Sequence, residues 1–259
     1  MPRIIAIANR KGGVGKTTTT VNVATAMAAV GKKVLIVDLD PQSNASTSLG
    51  IDKNSCQTSS YNLIIGESSL SKSVVWTEVP NLSIVPSSPD LAGAEVELIN
   101  KQHREYALKT ALQSAENSYD YILIDCPPSL SLITLNALVA ADAVVVPLQC
   151  EYLALEGISD LIKNLNIIKR RFNPKLELQG VVLTMYDGRN NLSQMVEDDV
   201  RNFFGKKVYQ TVIPRNVRVS EAPSHGKPVL LYDHRCQGSQ AYISLASEML
   251  KREGEKIAC

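Results

Sequence analysis

The chain predicts a single doubly wound α/β domain spanning residues 1–259, with a mostly parallel sheet and helices on both faces. Three observations lead there. Short apolar runs of strand length recur along the chain and alternate with stretches of helical periodicity. The first run, Ile4-Ile5-Ala6-Ile7-Ala8, passes through a glycine-rich loop into a helical run, Thr19 to Val30. No internal repeat, linker or low-complexity segment divides the 259 residues, a length that α/β folds reach as one unit.

The loop between the first strand and the first helix is Asn9-Arg10-Lys11-Gly12-Gly13-Val14-Gly15-Lys16-Thr17-Thr18. Strand, glycine loop and helix in that order are the context of a phosphate-binding loop. Glycines let backbone N–H groups close around phosphate oxygens without Cβ obstruction. Lys16 can reach the β and γ phosphates, and the Thr17 hydroxyl can ligate Mg²⁺. The loop departs from G-x-x-x-x-G-K-[ST]: Arg10 stands where the first glycine belongs, and Lys11 directly precedes Gly12-Gly13. This form, K-G-G-x-G-K-[ST]-T, resembles the deviant Walker A motif of the ParA/MinD class of ATPases. The resemblance implies that Lys11, Gly12, Gly13, Val14, Gly15, Lys16, Thr17 and Thr18 hold ATP. It also implies that Lys11 reaches across a homodimer to the partner's nucleotide, so that both Lys11 and Lys16 serve catalysis.

Gly31 suits a helix C-cap, and Lys32-Lys33 lead into a second buried strand, Val34-Leu35-Ile36-Val37. It ends in Asp38-Leu39-Asp40-Pro41-Gln42. Ligands in open α/β sheets sit at the carboxyl ends of strands, which places both carboxylates near the glycine loop. Turn aspartates before Pro41 are the bland alternative. A carboxylate here can orient an attacking water. The resembled motif, D-x-D-P-Q, implies that Asp40 does so while Asp38 supports the metal.

Ser43 to Ser60 reads as a short helix followed by a loop, and Ser60 to Ile65 as another short helix. Val74-Val75-Trp76 and Leu82 to Pro86 read as strands around a Pro80-Asn81 turn. Ser88-Pro89-Asp90 is a helix start leading into an amphipathic run, Leu91 to Ile99, and Tyr106, Leu108, Ala111 and Leu112 mark a further helix face. This region suggests surface packing and no chemistry.

Tyr119 to Pro128 returns to the site. Four residues, Tyr121-Ile122-Leu123-Ile124, end in Asp125, a Walker B pattern whose aspartate can hold Mg²⁺ through water. Pro127-Pro128 stiffen a segment able to answer the γ-phosphate as a switch. Cys126 has no second cysteine in matching context and reads as a buried thiol. Ala143 to Leu148 is a strand; Leu155, Ile158, Leu161, Ile162, Leu165 and Ile168 have the spacing of an amphipathic helix that Asn173-Pro174 ends. Leu178 to Leu183 is a strand. Gly238 to Arg252 is a last docking helix with Tyr242, Leu245, Met249 and Leu250 on one face, and Glu253 to Cys259 a frayed tail.

Three long stretches resemble the ParA/Soj chromosome-partitioning branch specifically: Pro147 to Gly157, Thr184-Met185-Tyr186-Asp187-Gly188-Arg189, and Ile213 to Pro228. With the N-terminal motifs the resemblance covers essentially the whole chain. It implies that Pro214 and Asn216 contact the adenine end of the nucleotide and that Arg189 and Arg218 bind DNA. It implies an ATP-dependent dimer on double-stranded DNA of any sequence, reset by a ParB/Spo0J-type centromere-binding partner. His225 is assigned a loop-structural role.

Bulk properties set limits. Net charge is +1, which argues neither for nor against nucleic acid, but residues 163–235 carry thirteen Lys/Arg against seven Asp/Glu. Solvated helix faces account for such a stretch equally well. Five scattered cysteines without C-x-x-C make a poor disulfide framework, so a reduced, cytoplasmic protein is expected, and the resemblance implies that it associates with the nucleoid. Met1-Pro2-Arg3 leads straight into a strand, so no signal peptide is expected, and no apolar run approaches the ~20 residues of a membrane span. By analogy with the resembled family, the lack of an extra N-terminal DNA-binding domain favours the short, chromosomal-type branch. A MinD-type membrane-associated division ATPase shares every nucleotide motif, yet residues 251–259 have mixed charge and almost no apolar face, so no stable membrane binding is expected. A metabolic ligase of the same fold would need substrate chemistry that the sequence does not display, and a non-hydrolysing module would lack Lys16 or Asp40.

Overall fold

Successive residues of a strand face opposite ways, and in this protein both ways are buried. The computed structural model describes every residue except 53–55, 116–117, 152–153 and 255–259. Strands β1 (Arg3–Ile7), β2 (Val34–Asp38), β3 (Val75–Trp76), β4 (Leu82–Val85), β5 (Tyr121–Asp125), β6 (Ala143–Gln149) and β7 (Glu177–Thr184) form one sheet. Their order is β3-β4-β2-β5-β1-β6-β7, all parallel except β3, which runs antiparallel to β4 at one edge. The helices are α1 (Lys16–Ala29), α2 (Asn44–Ser48), α3 (Ser60–Ile64), α4 (Leu70–Ser73), α5 (Ala94–Leu98), α6 (Ala107–Leu112), α7 (Leu132–Ala140), α8 (Ala154–Arg171), α9 (Asn191–Phe204), α10 (Val217–Glu221), α11 (Val229–Tyr232) and α12 (Gln237–Arg252).

On one face, Ile5 and Ile7 of β1, Ile36 of β2 and Leu123 of β5 pack with Val23 and Met27 of α1 and Leu245 and Met249 of α12. On the other, Ala6, Leu35, Val37, Ile122 and Ile124 pack with Leu98, Leu108, Leu138, Ile158 and Leu161 from α5 to α8. Truncating such a buried Leu or Met to Ala costs about 2–5 kcal/mol, so each layer holds the sheet from its own side. The doubly wound expectation is met. β1 lies between β5 and β6, so the chain turns one way from β1 to β2 and the other way to β6. Ligands of open parallel sheets bind outside such a switch point, and the glycine loop leaves β1 there.

Several elements differ from expectation for identifiable reasons. The first helix begins at Lys16, three residues early, because Gly15 takes a left-handed conformation (φ 87°) that turns the loop directly into the helix. The amphipathic run Leu91–Ile99 is split into a 3-10 turn, Pro89–Ala92, and α5, with Gly93 between them donating its N–H to the Asp90 carbonyl at 2.8 Å. Helices α7, α9, α10 and α11 lie where the sequence predicts no element. α7 is apolar nearly all round and therefore shows no period. α9 does carry a start signal, since the Asn190 side chain accepts the Leu192 N–H at 2.9 Å. The expected frayed tail falls mostly on residues 255–259, outside the described ones.

The β7 edge depends on one close approach. A Cβ on Gly180 would stand 2.6 Å from Tyr209 Cε2 and 2.9 Å from the Lys207 carbonyl oxygen. Tyr209 cannot yield: it is fully buried, its hydroxyl donates to Gln179 Oε1 at 2.6 Å, and the Arg252 guanidinium lies 3.9 Å over its ring. Gly180→Ala is expected to destabilise the chain by about 1–3 kcal/mol, as overpacked cores do, seen as a lower urea midpoint with unchanged slope.

Candidate functional site

The glycine loop is fixed by its neighbours. Asn9 is buried; its Nδ2 donates to the Pro147 carbonyl at 2.7 Å, and its Oδ1 accepts the Lys11 N–H at 3.1 Å. Thr184 at the end of β7 donates its hydroxyl to the Val14 carbonyl at 2.9 Å. Gly13 and Gly15 both have positive φ, 75° and 87°. A Cβ on Gly12 or Gly13 would meet no protein atom within 4 Å, so the space beside them is open to a ligand. The first turn of α1 has no side-chain cap and no acidic residue. An uncapped helix start fed by a glycine loop is a site for an anion, and phosphate suits it.

Lys16 is buried with its Nζ donating to the Lys11 carbonyl at 3.0 Å, so its ammonium stays inside its own loop. Burial lowers its pKa, against the opposing pull of Asp125, Cys126 and Asp40. Thr17 Oγ1 donates to Asp125 Oδ2 at 2.7 Å, and Thr20 Oγ1 stands 3.1 Å from Asp125 Oδ1. Asp38 and Asp125 are register partners at the ends of β2 and β5, both with no exposed surface. Burial, with the neighbouring carboxylates adding to it, holds both above the ordinary carboxylate range. Among the described residues no three His, Cys, Asp or Glu side chains converge to hold a metal by themselves. A hydroxyl, a carboxylate behind it and an adjoining phosphate site nonetheless suit Mg²⁺, which is ordinarily shared with substrate phosphates and water.

Asp40 is nearly buried, and its Oδ1 accepts the Gln42 N–H at 3.0 Å, an Asx turn across Pro41. Asp38 is already engaged: Oδ1 accepts the Asp40 N–H at 3.2 Å, and Oδ2 accepts from both the N–H and the hydroxyl of Ser46. Its place is therefore as much in holding the loop as in facing a metal. Cys126 is buried and its thiol is pushed far above its ordinary range, chiefly by burial, so it is a protonated side chain beside the site.

Lys11 leaves the loop in the other direction. Its side chain is 51% exposed and its ammonium pairs with Glu151, just beyond β6. Arg10 beside it reaches Asp160 of α8 at 3.7 Å. Sequence reading missed Glu151, Asn9 and Thr184 as partners of the loop, because strand ends meet there only once the sheet is assembled.

The Pro214 region is joined to β7's exit. Tyr186 donates its N–H to the Ile213 carbonyl and Arg215 its N–H to the Tyr186 carbonyl, both at 3.0 Å, after Met185 has taken a positive φ of 52°. Asn216 caps α10, its Oδ1 accepting the N–H groups of Arg218 at 3.0 Å and Val219 at 3.4 Å. His225 stacks on Tyr232 with ring centroids 4.9 Å apart, in keeping with a structural role. Gly226 crosses Gly50 so closely that a Cβ on Gly226 would lie 2.9 Å from Gly50 Cα. Arg189 is 92% exposed and grips Asp187 with two nitrogens, at 3.0 and 3.1 Å. Arg218 pairs with Glu221 at 3.0 Å and Asp233 at 3.6 Å. Exposed pairs of this kind contribute about 0–1 kcal/mol, so a phosphate can displace them.

The family model described as an AAA domain matches residues 2–178. The chain is 55% identical to the chromosome partitioning protein ParA of Caulobacter vibrioides over 258 residues, covering 99% of this chain and 97% of that protein. It is 51% identical to the sporulation initiation inhibitor protein Soj of Bacillus subtilis, covering 96% of this chain and 98% of that one. Its fold superposes with a TM-score of 0.86, at 37% identity and covering 99% of this chain and 98% of the other, on a Mycobacterium smegmatis structure described as cobyrinic acid a,c-diamide synthase with bound ADP and magnesium. A deviant phosphate loop with two lysines, carboxylates at the ends of β2 and β5, and identity of this degree over nearly the full length of both proteins place the chain in the ParA/Soj family of chromosome-partitioning ATPases.

Proposed function

We propose that residues 1–259 act as one ATP-hydrolysing switch that dimerises around nucleotide, holds DNA without sequence preference in the dimeric state, and is reset by a ParB/Spo0J-type partner. ATP and Mg²⁺ are its cofactors. One observation carries the reading: two lysines of a single loop diverge, Lys16 turned into its own loop and Lys11 turned out toward solvent and Glu151. A lysine that leaves its own phosphate site is available to a second subunit's nucleotide.

In this reading Lys16 and the N–H groups of Gly12 to Thr18 hold the phosphates, and Pro214 and Asn216 lie toward the adenine end. Thr17, with Asp125 behind it and Asp38 alongside, holds Mg²⁺, which offsets phosphate charge when bound. Asp40 orients the attacking water, since its Asx turn uses Oδ1 and Oδ2 accepts no hydrogen bond among the described residues. In the dimer Lys11 exchanges Glu151 for the partner's γ-phosphate, where its charge counters the charge of the transition state. Arg189 and Arg218 exchange their carboxylate partners for DNA phosphates. The amide-forming activity in the description of the M. smegmatis protein is a second reading; the higher identity to the partition proteins over the same length favours the first. No helix of the described residues is long and apolar enough to cross a membrane.

Lys16→Ala is expected to weaken ATP binding about 10- to 100-fold, the worth of a charge-assisted hydrogen bond. Asp40→Ala should bind ATP normally and lose about 10²- to 10⁴-fold in turnover; wild-type steady-state rates in that variant would remove Asp40 from the mechanism. Lys11→Ala should bind ATP yet remain monomeric in light scattering, and a stable ATP-bound dimer would refute the trans role. For DNA, the ATP-locked dimer should bind duplex with a steep salt dependence that ADP-bound protein lacks. Arg189→Ala and Arg218→Ala should each flatten the log–log slope by about 0.9 for every phosphate no longer neutralised, while dimerisation persists. Equal DNA affinity with ATP and ADP, or ATP-dependent sedimentation with anionic liposomes, would turn the reading toward a membrane-associated ATPase.

A further inference from the structure

A line of buried hydrogen bonds runs behind the Asp38–Asp40 segment. It starts outside the loop, where the Ser87 N–H, just past β4, donates to Ser46 Oγ at 3.2 Å. Ser46 donates its hydroxyl to Asp38 Oδ2 at 2.7 Å and its N–H to the same oxygen at 3.0 Å. The other oxygen of Asp38 accepts the Asp40 N–H at 3.2 Å, and Asp40 Oδ1 accepts the Gln42 N–H at 3.0 Å. Ser46 and Asp38 have no exposed surface.

The geometry explains why the line has a direction. The terminal torsion of an aspartate is broad and roughly two-fold, so an unsupported carboxylate settles in no single plane. Two donors from one residue onto Oδ2 remove that freedom, and Oδ1 is then held toward the Asp40 backbone. The backbone of residue 40 in turn sets the Asx turn and with it the direction of the second carboxylate oxygen of Asp40. Ser46 is itself held from behind by β4, through Ser87. Its hydroxyl is fully buried and bonds the Asp38 oxygen opposite the one that meets Asp40.

We infer that Ser46 is a positioning residue for hydrolysis, acting on Asp40 through Asp38. This rests on the reading of Asp40 as the residue that orients water. A displacement of about 1 Å in such a group costs on the order of a hundredfold in rate, so the loss of one buried hydroxyl can be read in turnover.

The test uses Ser46→Ala, Asp40→Ala, the double variant and Ser46→Thr in the full chain. In nucleotide-free protein, amide hydrogen exchange at Asp40 and Gln42 is expected to quicken in Ser46→Ala while β2 and α1 keep their protection. ATP affinity should stay within about twofold of wild type while kcat falls at least about tenfold. Ser46→Thr, which retains the hydroxyl, should recover both exchange protection and rate. In single-turnover measurements the Asp40→Ala background should lose nothing more on adding Ser46→Ala, because two residues acting through one group are not additive. Unchanged exchange and turnover in Ser46→Ala overturn the inference, as do losses that multiply in the double variant or a fall in ATP affinity that matches the fall in rate. A wild-type rate in Asp40→Ala alone would instead overturn the underlying assignment of Asp40, so the two failures are separable.

Discussion

Two carboxylates, Asp38 and Asp125, end adjacent parallel strands side by side with no exposed surface. Burying one carboxylate costs several kcal/mol, and a second beside it adds repulsion. Much of the surrounding structure answers that demand. Thr17 and Thr20 supply hydroxyls to Asp125, Ser46 supplies two donors to Asp38, and the buried Lys16 ammonium lies close enough to feel Asp125 and Asp40. The partners come from the first turn and second turn of α1 and from α2, so the helices flanking the strand ends are tied to the same charges. The compensation is partial, because both carboxylates remain above their ordinary range. A site with surplus negative charge beside an uncapped helix start is prepared for a divalent cation carried in with phosphates.

The parallel sheet makes this arrangement possible. Each parallel crossover returns the chain to the same edge, so every strand but the antiparallel β3 delivers its following loop to one side. Asn9, Asp38, Asp125, Glu151 and Thr184 come from the ends of five different strands, and all but Asp38 are tied directly to residues of the phosphate loop. The loop is thus held from β6 through Asn9 and from β7 through Thr184, while its two lysine side chains leave it in different directions.

Much of this was legible in the sequence. The buried strands announced themselves as apolar runs, and Lys11, Lys16, Thr17, Asp38, Asp40 and Asp125 sit in short contiguous motifs at strand ends, in the glycine loop and in the first turn of α1. What stayed hidden was of two kinds. Helix α7 has no polar face to mark its period, and the stretch Leu91–Ile99 has an amphipathic pattern that a glycine interrupts. The other kind is long-range pairing. Glu151 lies about 140 residues from Lys11, Pro147 about as far from Asn9, and Thr184 lies 170 residues from Val14. No local pattern encodes such pairs, since side-chain partners across a sheet follow from strand order and register. Ser46 sat in a Ser/Thr-rich run that reads as a loop with a short helix, and only its two hydrogen bonds to Asp38 set it apart from neighbours that are buried as well.

Where Gly50 and Gly226 cross, two surface segments meet backbone to backbone: one follows the aspartate loop, the other follows the stretch containing Pro214 and Asn216. Both glycines have positive φ, 73° and 63°, and an added Cβ on either would come within 3.1 Å of the other's backbone. Connecting loops ordinarily absorb insertions and sequence drift well. These two cannot, because there is no side chain between them to change rotamer and take up slack. They form a rigid joint in which neither strand of chain can be lengthened or decorated without displacing its neighbour. Anyone placing a reporter tag or fluorescent insertion in this protein should treat the pair as one position, although the two residues are 176 apart in the chain.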